Sequence, residues 1–259
     1  MPDLINLGAL DYAIVLPFIF LAGLIDAIAG GGGLISLPAY VAAGLPMHAA
    51  LATNKFSSAW GTLFSTANYL RAKVIDLPVA GLSAVFALTG SWLGTRTVLL
   101  LSSDFLRYLL VVLIPVVAVI TLVRKNFGHV NHSHHHRLGV RLALGALAGL
   151  VIGFYDGFFG PGTGTFLILV YAALLHYDFV VANGNTKVVN LASNLAALAT
   201  FLVAGKVFFP LAIPAAACGI AGNLIGSKLV IRNGNKLIRP IFVLALILLL
   251  GRIIYDLVA

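Results

Sequence analysis

Apolar runs of roughly 18–24 residues recur along this chain, each long enough to cross about 30 Å of hydrocarbon as an α-helix. In lipid every backbone polar group must find its partner within the spanning structure, which leaves only helices and closed barrels. Barrel strands would read as alternating segments of about 10 residues, and the sequence has none. Only 9% of the 259 residues are charged, against roughly 25% in a soluble domain. The expected fold class is all-α, a polytopic membrane protein. Asp3 and Asp11 precede the first run with no basic residue. A cleaved leader wants a positive start, so the first helix is expected to stay in the mature protein.

The chain repeats itself. Gly23-Leu24-Ile25-Asp26 with Gly30 aligns with Gly153-Phe154-Tyr155-Asp156 with Gly160, and Thr53-Asn54-Lys55 aligns with Asn185-Thr186-Lys187. Ala72-Lys73-Val74 aligns with Gly205-Lys206-Val207, Gly90–Gly94 with Gly222–Gly226, and Leu106-Arg107 with Ile238-Arg239. The offset stays between 130 and 133, the mark of one colinear duplication. Each copy has five apolar segments, at 12–29, 34–44, 46–70, 79–100 and 105–123, then at 139–159, 165–175, 179–203, 208–230 and 238–258. The expected units are a first membrane repeat over 1–125, a His-rich connector over 126–137 and a second membrane repeat over 138–259. The second segment of each copy, at about 16 Å of helix, is too short to cross alone. It follows a break, Gly30-Gly31-Gly32-Gly33 in one copy and Gly160-Pro161-Gly162-Thr163-Gly164 in the other. Corresponding interrupted segments in two halves point to a transporter's binding site.

Lysine and arginine set the orientation. With the centre loop (Arg124, Lys125, Arg137, Arg141) on the cytoplasmic side, Arg71, Lys73, Lys228, Arg232, Lys236 and Arg239 also fall inside. Arg96, Arg107, Lys206 and Arg252 fall outside. Both termini are then outside, and each repeat crosses an odd number of times, so the two are inverted. This holds whether segments one and two both span or form a re-entrant hairpin.

Three features converge on an anion. A helix start carries about half a positive charge and unpaired N–H groups, and glycines let backbone approach a ligand. Gly31, Gly32 and Gly33, with Gly162, Thr163 and Gly164, are the candidate contacts there; close helix packing is the competing reading. Lys55 and Lys187 each lie nine residues past a helix start, at Pro46 and Asp178, about 13 Å along the axis and near the bilayer midplane. A lysine at that depth is costly and points to function, with an ion pair to Asp26 or Asp156 as the alternative. A polar stripe of Asn54, Ser58, Gly61, Ser65 and Asn68 shares one helical face. Asn183, Lys187, Asn190 and Asn194, with Ser193 beside them, repeat it. Such stripes line a wet cavity or join helices. Thr186 stands where Asn54 does in the first copy. The chain has no glutamate, so Asp26 and Asp156 are the two acids expected inside helices and the candidates for accepting a coupling proton.

At the breaks and at Ala52-Thr53-Asn54-Lys55-Phe56, Asn68-Tyr69-Leu70-Arg71 and Thr186-Lys187…Ala192-Ser193-Asn194, the sequence resembles the TauE/SafE sulfite exporter family of membrane transporters. The resemblance covers almost the whole chain. It implies transport of sulfite, sulfonates and related organosulfur anions across a bacterial inner membrane, by export in several members. The second break departs from an all-glycine run, so the two breaks are expected to differ in role.

Other classes fit less well. The sequence lacks Gly-x-Ser-x-Gly and Gly-Lys-Ser/Thr, and His-Glu-x-x-His is impossible without glutamate, which disfavours an intramembrane enzyme or an ATP-driven engine. The +8 charge is spread over short loops, which does not suit nucleic acid. His129, His132, His134, His135 and His136 have no accompanying cysteine or acid and read as a solvated connector, so no metal or other cofactor is expected. The expected partners are a small anion and the lipid bilayer, with a homodimer left open. The expected function is secondary anion transport by alternating access, with a passive channel or another small carboxylate or oxyanion as alternatives.

Overall fold

The computed structural model describes residues 7–112, 133 and 137–234. The regular structure among them is helical, in the order α1 (Ala9–Ala29), α2 (Gly33–Ala42), α3 (Met47–Arg71), α4 (Leu77–Leu99) and α5, helical over 103–112. After the centre come α6 (Leu138–Phe158), α7 (Thr163–Ala173), α8 (Phe179–Val203) and α9 (Phe209–Asn233). A long helix, a short one and two long ones thus occur twice, with bounds close to those the apolar runs set. The run at 238–258 and the five clustered histidines lie outside the described residues.

Local chemistry explains the helix starts. α8 is capped by Asp178, whose Oδ1 accepts from the Val180 and Val181 N–H groups at 2.9 and 3.1 Å. α3 opens directly after Pro46. α1 begins earlier than the apolar run because Asp11 reaches back to the Gly8 N–H at 2.8 Å. That makes Asp11, and Asp104 near the start of α5, further acids inside helices. Both lie close to a positive helix end, where a carboxylate is favoured.

Among the described residues, five helices are long and apolar enough to cross a membrane: α1, α4, α6, α8 and α9. α3 matches α8 in length but carries Asn54, Lys55, Ser57, Ser58, Ser65 and Asn68. It packs against α8 and α9. The helices of the two halves interleave: α4 runs along α6, and α1 along α9. Large apolar side chains such as Phe18, Val85, Leu147 and Ile213 are left on the outside, where lipid solvates them.

Close approach of backbone makes the interleaving tight. A Cβ built on Gly157 would stand 2.0 Å from the Ser91 carbonyl, and one on Gly222 would stand 2.2 Å from that of Phe20. Small residues at helix contacts are the usual device where lipid offers no hydrophobic drive.

The second short helix turns back. Arg141, in the first turn of α6, donates from Nη1 to Asp76 Oδ2 at 2.8 Å, and Tyr177, just past α7, donates to the same oxygen at 2.6 Å. α6 and α7 therefore start and finish at one end of the bundle, with the glycine break as the tip of a hairpin. Two crossings and a re-entrant hairpin alike bring these two ends together.

Gly157→Ala should overpack the α4–α6 contact and cost about 1–3 kcal/mol, seen as a lower unfolding temperature in detergent. Gly81→Ala, where an added Cβ meets nothing within 4 Å, should leave it unchanged. Equal behaviour of the two variants would contradict this account of the packing.

Candidate functional site

The two breaks meet in the middle of the molecule. Gly30 has φ +78°, and a Cβ on Gly164 would fall 2.5 Å from its Cα, so the chains cross with no side chain between them. Thr165 donates from its backbone N–H to the Gly30 carbonyl at 3.3 Å and from Oγ1 to the Ala29 carbonyl at 3.0 Å. The start of α7 is thus engaged with the end of α1. Thr163 turns its hydroxyl to the Gly160 carbonyl at 2.7 Å.

A helix that stops inside the protein leaves its last carbonyls without intrahelical donors. For α1 these donors come from elsewhere. Tyr69 on α3 donates to the Ala27 carbonyl at 3.0 Å, and Asn183 on α8 donates from Nδ2 to the Ala27 and Ile28 carbonyls at 3.0 and 2.9 Å. The Lys187 ammonium donates to the Asp26 carbonyl. Its positive charge sits at the negative end of the α1 dipole.

Each lysine is paired with the aspartate of the opposite half. Lys55 Nζ lies 2.8 Å from Asp156 Oδ2, and Lys187 Nζ lies 2.9 Å from Asp26 Oδ2. The sequence offers this pairing as the alternative to a ligand site, and it names both partner types but not the cross-over. Lys55 also donates to Asn194 Oδ1 at 3.0 Å, and Asn194 donates to Asn190 Oδ1 at 3.1 Å. Ser193 Oγ donates to Asp156 Oδ2.

Beside Asp26 lies a narrow cleft of about 20 Å³. That is room for about one water molecule. Gly32, Gly33 and Ser58 line it with Asp26, as do Ser36, Ser57 and Asn223. Gly31 sits behind them, next to Thr165. Asn54 accepts from Ser36 Oγ at 2.6 Å. Thr186 is buried with its hydroxyl unpartnered among the described residues. The structure therefore gathers Asp26, Gly32, Gly33 and Ser58 at the cleft. Lys55, Asn190, Asn194 and Asp156 gather in a separate dry network.

The far end of the first stripe joins helices. Asn68 donates to Ser227 Oγ at 2.8 Å, and Gly61 faces Asn223. Of the stripe, Ser58 lines the cleft, while Asn54, Gly61 and Asn68 meet neighbouring helices. Asn223, like Ser36 and Ser57, is a polar cleft residue that sequence reasoning passed over. Its signal is an asparagine at the position where the first copy has Ser91.

Residues 15–253 match the family described as Sulfite exporter TauE/SafE. The probable membrane transporter protein YfcA of Escherichia coli K12 is 35% identical over 236 residues, covering 91% of this chain and 87% of that protein. A probable membrane transporter protein of Haemophilus influenzae is 35% identical over 237 residues, 92% of each chain. The probable membrane transporter protein YdhB of Bacillus subtilis is 24% identical over 221 residues, 83% of this chain and 89% of that protein. No solved structure matches the chain.

Removing one member of a buried ion pair strands the other at about 3–5 kcal/mol. Lys55→Met should therefore lower the unfolding temperature sharply, and Lys55→Met with Asp156→Asn should recover most of the loss. A double variant as unstable as the single one would show that the pair does not hold α3 to α6.

Proposed function

The chain belongs to the TauE/SafE sulfite exporter family of membrane transporters, and from that premise we propose that it is a secondary transporter of small sulfur-containing anions. Sulfite and sulfonate headgroups are the proposed substrates, and export by alternating access is the proposed direction and mechanism. The observation that carries this reading is the crossed pairing: two ammonium groups, one from each half, beside two glycine breaks that touch.

In the described conformation each ammonium is engaged by a carboxylate. An anion reaches the charge only when the carboxylate gives way. Protonation of an aspartate does this, because a neutral carboxyl no longer balances the lysine. Proton and anion would then load together, and an oxyanion would replace the carboxylate oxygens with its own. Hydroxyls and amides near by, from Asn54, Ser58 and Thr186, supply neutral donors to the same chemistry.

The two halves, read as inverted repeats, would rock about the contact between the breaks. Interleaved packing supports this, since the pairs α1 with α9 and α6 with α4 are the same pair with the halves exchanged. The narrow cleft supports a carrier over an open channel, because a pore needs a continuous wet path. The proposed setting is a bacterial inner membrane with the Asp76–Arg141 end cytoplasmic.

Purified protein should be stabilised by sulfite or a short sulfonate more than by a carboxylate of equal charge. A ligand at 100 times its Kd adds about 2.7 kcal/mol. In proteoliposomes the flux should saturate, and Lys55→Ala and Lys187→Ala should each cut it while the variants still insert. Undiminished flux in both would overturn the lysines' role, and a non-saturating current would replace the carrier with a channel.

A further inference from the structure

The two aspartate–lysine pairs are related by the repeat but differ in their surroundings. Asp156 is 3% exposed at its side chain, with Lys55 on one side and Ser193 Oγ bonded to the paired oxygen. Asn194 holds Lys55 from behind. Asp26 is 16% exposed, opens onto the cleft, and has Lys187 as its side-chain partner among the described residues. The difference is written in the sequence. At the offset of 132 that relates the two lysines, Gly61 stands where Ser193 does and Thr62 where Asn194 does. Glycine has no hydroxyl to give, and the Thr62 hydroxyl is buried without a partner among the described residues.

A second observation lies across the same cleft. Asn223 is 3% exposed, and its Nδ2 donates to the Gly219 carbonyl at 3.0 Å. Its Oδ1 is buried with no donor among the described residues. A buried acceptor with nothing to accept is costly unless another state of the molecule supplies the donor. A protonated aspartate is such a donor, and the cleft also holds room for one bridging water.

We propose that the coupling proton loads at Asp26 alone, through this cleft, and that Asn223 Oδ1 accepts the hydrogen bond of the loaded carboxyl, directly or through one water. This rests on the reading of the protein as a proton-coupled anion transporter. The step is a proton transfer: hydronium gives a proton to an Asp26 oxygen and leaves as water. Lys187 keeps its three protons, and its charge passes from the carboxylate to the anion. The Asp156–Lys55 pair stays ionised and serves as the fixed half. Besides Lys187 on α8, Lys55 and Tyr69 on α3 are within electrostatic reach of Asp26, and Asp156 stands behind Lys55. The lining residues of α2 and α9 carry no charge.

The experiment has two readouts. In detergent, an infrared carboxyl band that grows on acidification should appear in the difference between wild type and Asp26→Asn, and should be retained in full in Asp156→Asn. In proteoliposomes, Asp26→Asn should leave a flux that no longer varies with pH. Asp156→Asn should keep the wild-type pH profile at a reduced rate. Asn223→Leu leaves both aspartates in place. It removes the acceptor of the protonated form, so the pH midpoint should move down by about half to one unit. Loss of the band in Asp156→Asn, or an unmoved midpoint in Asn223→Leu, would overturn the proposal. Absence of anion flux in the wild type would count against the transport reading, while the infrared band would still decide where the proton loads.

Discussion

A helix that ends inside an apolar protein must be given donors for its last carbonyls, and the end of α1 sets that requirement for this molecule. Lipid cannot supply them, so broken helices persist only where neighbouring chains do. Here Tyr69, Asn183, Thr165 and Lys187 converge on four successive residues, Asp26 to Ala29, from three different helices. The end of α1 therefore fixes where α3, α7 and α8 stand. The lysine belongs to this arrangement before it belongs to any ligand, because a cation is favoured at a helix C-terminus whatever else it meets.

Two buried ion pairs are a weak source of stability, since desolvation roughly cancels attraction. Their effect is on arrangement. Each pair takes its acid from one half and its base from the other, so the halves cannot separate without stranding four charges. The same property makes the centre responsive. One proton on one carboxylate changes the charge balance of a dry site, where such changes are felt most strongly.

Much of this was legible in residues alone. The apolar runs, the glycine interruptions and the caps at Pro46 and Asp178 locate nearly every helix, because length and capping are local properties. The places of Lys55 and Lys187, nine residues past each helix start, follow from counting along those helices. What a single sequence does not carry is which helix faces which. Asn183 and Asn194 share a stripe, yet one caps α1 and the other holds Lys55. Periodicity assigns a face and leaves the neighbour unnamed. Asn223 escaped for the opposite reason: one asparagine among glycines and alanines in α9 looks like packing until its oxygen is seen to lack a donor.

The crossed pairing also has a consequence for how the chain is made. Lys55 leaves the ribosome about a hundred residues ahead of Asp156, and at about 5–20 residues per second that gap lasts on the order of ten seconds. During that time α3 carries a lysine whose acid is not yet synthesised, and Asp26 waits longer still for Lys187. The first half is thus an unfinished object in the membrane. Its polar helix has to shelter in the insertion machinery, or against water, until the second half arrives to close the circuit.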